Sequence, residues 1–196
     1  MITLRYGNTN TFFLRGSKGG LLVDTDMAGT LPALYRALKA GGVTVGDISY
    51  VLATHYHPDH MGLIGELMEL GVKLLLVDTQ RSHVHDSDEI FRRDRRLEYV
   101  PIQENDAVII TCEESREFLK ALGIDGEIIS TPSHSPDGVS LLLDDGNCIV
   151  GDLEPMEYLD AYENNEQLTL DWLRILEHDP KTVYFAHWPP RTLHST

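Results

Sequence analysis

Basic residues are scarce in this sequence. Sixteen Lys and Arg stand against 31 Asp and Glu, a formal net charge of −15. A surface of that sign repels phosphates, which argues against a nucleic-acid backbone or an anionic membrane as partner. Cysteine is nearly absent: Cys112 and Cys148 are too few for a disulfide framework, and each sits in an apolar run as a small core residue would. No apolar run approaches the roughly 20 residues of a membrane span. The opening Met1-Ile2-Thr3-Leu4-Arg5-Tyr6 lacks the apolar stretch of a signal peptide. A cytoplasmic protein is the resulting expectation. No repeat, low-complexity segment or linker divides residues 1–196, a length that suits one domain with a sizeable core. Such a chain folds without a metal staple, so a metal site in it would serve chemistry.

What is present is an alternation of short apolar runs and amphipathic stretches. Residues 10–15 and 20–24 read as strands joined by the turn Ser17-Lys18-Gly19-Gly20. Thr30 reads as the N-cap of a helix carrying Leu31, Leu34, Tyr35 and Leu38, stopped by Gly41-Gly42. Strands are expected at 48–53, 72–77, 108–111, 127–130, 139–143, 148–150 and 182–186, and helices at 62–70, 113–122 and 167–177. The tetrapeptide Asp144-Asp145-Gly146-Asn147 suits a hairpin turn. Strands and helices in alternation argue for an α/β protein with sheets covered by helices. Residues 79–97 are strongly polar and fit either a helix on the surface or a lid.

Four of the six residues from His55 to His60 are able to bind a metal: His55, His57, Asp59 and His60. Imidazole nitrogen and carboxylate oxygen are ligands that zinc accepts. One short turn does not easily wrap a single ion with four neighbouring side chains, but it can offer two to each of two ions. The cluster follows a buried-looking strand and precedes a helix, where α/β proteins place their sites. His134, Asp152 and His187 each stand at the exit of a later apolar run. Singly they pass as a turn residue, a helix N-cap and a surface histidine; together they favour one shared site. His83 and His85 lie in a charged stretch and read as solvated, as do His178 and His194 near a helix end and the tail.

These residues resemble the metallo-β-lactamase superfamily. The resemblance rests on His-x-His-x-Asp-His at 55–60, on Thr131-Pro132-Ser133-His134-Ser135-Pro136, on Gly151-Asp152, on Ala186-His187 and on the early Asp24, in that order along the chain. It implies an αββα sandwich with two divalent metal ions at one edge, zinc first, with iron or manganese as alternatives. It further implies that His55, His57 and His134 hold one ion, that Asp59, His60 and His187 hold the other, and that Asp152 bridges them. Asp24 would orient the ligand loop. The implied chemistry is hydrolysis of a small ester, thioester or lactone by a hydroxide formed between the ions, with Asp59 and Asp152 as the catalytic carboxylates.

Departures from related patterns narrow the branch. Asp152 stands where one β-lactamase subclass has cysteine, and His57 where flavodiiron enzymes have glutamate. The net charge argues against a ribonuclease. The nearest ligand sets are those of hydroxyacylglutathione hydrolases and lactonases. Nine residues follow His187, so the helical subdomain that grips glutathione is not expected. Ser133 replaces the glycine usual before this histidine. The alternatives are an iron-dependent, persulfide dioxygenase-like oxidoreductase and a metal-binding protein without catalysis. The partner expected is a small-molecule substrate, and a homodimer is compatible with the sequence. Tyr158 and Tyr162 are candidates to steady a substrate carbonyl, or are tyrosines packed on a loop. Arg92 and Arg93 either attract an anionic substrate or form a solvated face paired with Asp86, Asp88, Glu89 and Asp94.

Overall fold

The computed structural model describes residues 1–159 and 165–193. Tyr162 and His194 lie outside the described residues. Two sheets stack face to face. The first has six strands in chain order: β1 (Ile2–Arg5), β2 (Asn10–Arg15), β3 (Gly20–Val23), β4 (Ile48–Leu52), β5 (Lys73–Val77) and β6 (Val108–Ile110). Strands β1 to β3 form an antiparallel meander, and β3 to β6 run parallel. The second sheet has the order β11-β10-β9-β8-β7, built from β7 (Gly126–Ser130), β8 (Val139–Leu143), β9 (Asn147–Ile149), β10 (Thr182–Tyr184) and β11 (Arg191–Thr192).

Side chains alternate across a strand, so each strand serves two cores. Phe12, Leu14, Leu21, Val23, Leu75 and Val77 face inward and meet Ile128, Leu141 and Ile149 of the second sheet. Their neighbours Phe13, Leu22, Leu74 and Leu76 face outward. There they pack on Leu34 and Leu38 of α1 (Leu31–Ala40), and on Ile64 and Leu67 of α3 (Ile64–Glu69). Leu142, Cys148 and Val183 point out from the second sheet onto Leu168, Trp172 and Ile175 of α6 (Glu166–Leu176). Continuously apolar strands such as Leu-Leu-Val at 21–23 therefore mean burial on both faces. Each fully buried Leu or Phe is worth about 1.5–3 kcal/mol. The result is helix, sheet, sheet, helix, the layering expected from the sequence.

Some local expectations change. Thr30 precedes α1 but does not cap it: its hydroxyl donates to the Met27 carbonyl at 2.7 Å. The helix expected at 62–70 begins earlier, with a separate turn, α2 (Pro58–Met61), inside the histidine motif. Residues 79–97 form 3₁₀ turns and α4 (Asp88–Arg93). Helix α5 (Cys112–Leu122) has the strongest cap, Thr111 accepting from Glu114 N–H while Glu114 accepts from Thr111 N–H. No described helix is long and apolar enough to cross a membrane.

Candidate metal centre

The parallel strands of the first sheet end at one edge, and β4 runs out through Ala53 and Thr54 into His55. Pro58 occupies the first turn of α2, where its fixed φ suits a helix start and its missing N–H costs nothing. The turn carries Asp59 and His60 back toward His55. From the second sheet come His134 after β7, Asp152 after β9 and His187 after β10. Gly151 has φ +58, and a Cβ there would lie 2.4 Å from Thr54 Oγ1. Only glycine lets the Asp152 loop approach the histidine loop this closely.

The donor atoms fall into three overlapping groups, each within 4.8 Å: His55, His57 and His134; His55, His60 and Asp152; and Asp59, His60 and His187. His57 Nδ1 lies 3.0 Å from His55 Nε2 and 3.3 Å from His134 Nε2. Asp152 faces both ends of the cluster. Its Oδ2 is 3.3 Å from His60 Nε2 and 3.6 Å from His134 Nε2, and its Oδ1 is 3.3 Å from His187 Nε2. Asp59 Oδ2 is 3.2 Å from His187 Nε2. Even so, His60 Nε2 and Asp152 Oδ1 are buried and make no hydrogen bond. Buried polar atoms without partners are rare and costly. Two such atoms amid convergent imidazoles and carboxylates fit divalent cations. The structure thus brings together all seven residues singled out as ligands.

The surrounding groups set which nitrogen faces the centre. Asp24 is fully buried with φ +60. Its Oδ1 accepts from Thr54 N–H at 2.6 Å, and its Oδ2 from Thr54 Oγ1 at 2.9 Å, with His60 Nδ1 at 3.1 Å. His187 Nδ1 donates to the Asn8 carbonyl at 3.0 Å. Both rings therefore carry a proton on Nδ1 and turn Nε2 inward. Burial, and next the charge on His60, push the His55 imidazole well below its usual range, and burial also lowers His134. Those rings are neutral, as ligation requires. Burial opposes a charge on His60, but Asp24 and Asp152 outweigh it and raise the pKa to about 10. The Asp152 and Asp59 carboxylates, 3.3 and 3.2 Å from its Nε2, raise His187 to about 11.

A prediction follows for the metal-free chain. At pH 7 His60 and His187 each hold a proton that an incoming ion must displace, because their metal-free pKa values lie above 7. Zinc affinity should fall as pH falls, and loading should release more than one proton per chain. Calorimetry at pH 7 in buffers of different ionisation enthalpy measures that number, and a value near zero would contradict the protonation described.

His134 and His187 remain about a third exposed, 32% and 31%. They border a cavity of about 370 Å³ together with Asp152. Its far wall is Leu153, Tyr158, Phe185 and Trp188, and Tyr158 packs on Trp188 with ring centroids 5.6 Å apart. Arg92 and Arg93 do not line it. They lie exposed on α4 and pair with Glu89 at 3.1 and 3.4 Å. Asp94 pairs with Arg96, while Asp86 and Asp88 pair with His83 and His85.

Three supports escaped the sequence reading. Asp171, fully buried in α6, accepts from Ser133 N–H at 2.8 Å and so pins the backbone beside His134. Trp172, next along, donates to the Glu154 carbonyl at 2.8 Å. Asp137 accepts from Tyr56 N–H at 2.7 Å and from the Ser135 hydroxyl, which joins the loop of His55 and His57 to that of His134. The available signal was an acid at 171 within the apolar stripe Leu168, Trp172 and Ile175.

The family model of the metallo-beta-lactamase superfamily matches residues 4–187, and the chain belongs to that superfamily. Its members use divalent metals, and the cluster is the candidate site for them here. Metallo-beta-lactamase domain-containing protein 1 of Rattus norvegicus is 41% identical over 59 residues, 30% of this chain and 24% of that protein. A putative diflavin flavoprotein A 2 of Synechocystis is 36% identical over 78 residues, 39% of this chain and 13% of that protein. The matches thus span a quarter or less of these curated relatives. In three dimensions the chain resembles the BLEG-1 B3 metallo-beta-lactamase, with TM-score 0.72, 22% identity and coverage of 97% of this chain and 93% of that one. A protein solved in a di-iron-bound form gives TM-score 0.68 at 23% identity, with coverage of 97% and 93%. At these identities the likeness is one of fold.

Proposed function

We propose that this chain is a binuclear metal hydrolase that cleaves a small ester, thioester or lactone. The observation that carries the reading is the convergence of seven donor residues, two of whose atoms, His60 Nε2 and Asp152 Oδ1, are buried and unsatisfied, at the mouth of a largely apolar cavity. His55, His57 and His134 would hold one ion and Asp59, His60 and His187 the other, with Asp152 shared. Zinc is the leading candidate, iron or manganese the alternatives. When bound, such ions acidify a water to a pKa near 7 and polarise a carbonyl oxygen.

The chain's residues supply the rest. Asp24 and Asn8 fix the tautomers of His60 and His187. In the metal-free chain Asp59 is held ionised chiefly by His187, whose Nε2 lies 3.2 Å from its Oδ2; in the loaded centre that role would pass to the ion. Asp59 Oδ1 is then free to take up a proton and pass it to the leaving group. Leu153, Phe185 and Trp188 shelter the reacting group from bulk water, and Tyr158 and Tyr162 are proposed to steady the substrate carbonyl.

Elemental analysis of zinc-loaded, desalted protein should give two ions per chain, and a panel of aryl esters, thioesters, lactones and phosphodiesters should show turnover in the first three classes. One ion per chain, or turnover of phosphodiesters alone, would overturn the reading. Similarity to a diflavin protein and to a di-iron form favours iron-dependent redox chemistry as the second reading. Iron as the metal on isolation, with substrate-dependent oxygen uptake, would select it.

A further inference from the structure

The cavity beside the donors has a wall of one chemical character. Leu153, Tyr158, Phe185 and Trp188 supply apolar and aromatic surface, and Glu154 is the remaining charged side chain beyond the donors. No Lys or Arg lines it among the described residues. The sequence extends the point: residues 151–173 contain no Lys or Arg and seven acids, Asp152, Glu154, Glu157, Asp160, Glu163, Glu166 and Asp171. The segment that follows the Asp152 ligand therefore brings no cation to the substrate, whatever its path. Two cations border neighbouring cavities instead: Arg191, paired with Glu157, faces one with Met156 and Trp172, and Arg5 faces one with Asn10 and Pro189.

The wall is also held in place. Trp172 Nε1–H anchors the Glu154 carbonyl, and Trp188 is clasped between Tyr158 and Phe185, with ring centroids 5.6 and 6.0 Å away. Rings in such mutual contact present an aromatic surface on which a planar or alkyl group can lie. An anion placed against this wall would lose hydration and gain repulsion from Glu154, and no Lys or Arg offsets either; the positive charge of the cavity sits at the donor cluster, with His187 and the ions it would hold, where the reacting carbonyl binds.

From this wall we infer the substrate class: an ester or lactone whose non-reacting part is apolar and either uncharged or cationic, seated on Trp188 and Tyr158, with Glu154 rejecting anionic analogues. This rests on the hydrolase reading, and it sets aside acyl-glutathione, acyl-coenzyme A and phosphorylated substrates.

Three matched aryl esters test it: 4-nitrophenyl butyrate, the 4-nitrophenyl monoester of glutarate, and 4-nitrophenyl 4-(trimethylammonio)butyrate. With zinc-loaded protein, kcat/KM should be highest for the ammonium and butyrate esters and at least about tenfold lower for the glutarate. Glu154→Gln should shrink that gap severalfold, as should raised salt. Trp188→Ala should raise KM for butyrate about three- to tenfold, with Trp188→Phe close to the parent. A binding arm needs no turnover. In the metal-stripped full chain, 4-phenylbutan-1-ol and 4-phenylbutylammonium should perturb tryptophan fluorescence with tighter affinity than 4-phenylbutyrate, the Trp188 share of the signal being identified by its loss in Trp188→Phe, and Glu154→Gln should narrow the difference. Equal affinities, or a ratio that Glu154→Gln leaves unchanged, would overturn the assignment of the pocket. The predicted binding order with no ester cleaved would instead overturn the hydrolase reading and leave the pocket standing.

Discussion

Asp152→Ala should fold normally and fail to hold two metal ions. The carboxylate faces both ends of the donor cluster, 3.3 Å from His60 Nε2, 3.6 Å from His134 Nε2 and 3.3 Å from His187 Nε2. No other carboxylate in the cluster spans it in this way. The side chain is 16% exposed, and its loop is held by backbone bonds such as Ala186 N–H to the Gly151 carbonyl at 2.9 Å. Circular dichroism should therefore match the parent. Losing a partner beside a metal ligand costs about 10- to 100-fold in affinity, and loss of a bridging donor should cost at least about 100-fold. Metal content should drop to one ion or fewer, and kcat/KM should fall by about 100-fold or more. Two tightly held ions in this variant would remove Asp152 from the centre.

Asp24→Asn and Asp24→Ala should separate two consequences of one buried carboxylate. Alanine leaves Thr54 N–H without a partner in a fully buried place, and His60 Nδ1 with only the Thr54 hydroxyl at 3.5 Å. Breaking such a buried pair costs about 3–5 kcal/mol, so the melting temperature should drop together with metal binding. Asparagine keeps the shape, tolerates φ +60, and can still accept from Thr54 N–H. Its amide N–H₂ would then face His60 Nδ1 at the position where the carboxylate accepts. The ring proton must move to Nε2, the atom turned toward the centre. Asp24→Asn should thus lose at least about tenfold in metal affinity while melting near the parent. Unchanged zinc affinity in both variants would show that Asp24 does not govern His60.

The histidine motif was legible because its geometry is local: a strand end, a proline-started turn, and four donors within six residues. The layering was legible because doubly buried strands are nearly continuous apolar runs, β3 throughout and β8 but for Ser140, separated by clear turn signals. Strand β1 was not, since only Ile2 and Leu4 alternate within it, and β11 has two exposed residues. The long-range braces were invisible for another reason. Asp137 and Asp171 act on backbone N–H groups 81 and 38 residues away, and a backbone amide leaves no trace in side-chain pattern. For the arginines of α4 the sequence left two readings open, and pairing on one helix face is legible in it: Glu89 stands three and four positions before Arg92 and Arg93 and meets both.

The seven donors come from both sheets: His55, His57, Asp59 and His60 after β4, and His134, Asp152 and His187 after β7, β9 and β10. Hydrogen bonds cross this edge from one sheet to the other, among them Val139 N–H to the Thr54 carbonyl at 2.9 Å and Asn10 N–H to the Ala186 carbonyl at 2.7 Å. An ion held there is a clasp between two leaves, and its strength is set by supply: a ligand at 100 times its dissociation constant adds about 2.7 kcal/mol to stability. Changes of 1–2 kcal/mol alter how much of a protein survives in a cell. Metal scarcity would therefore act twice, silencing each molecule that loses its ions and thinning the population by exposing the parted edge to proteases.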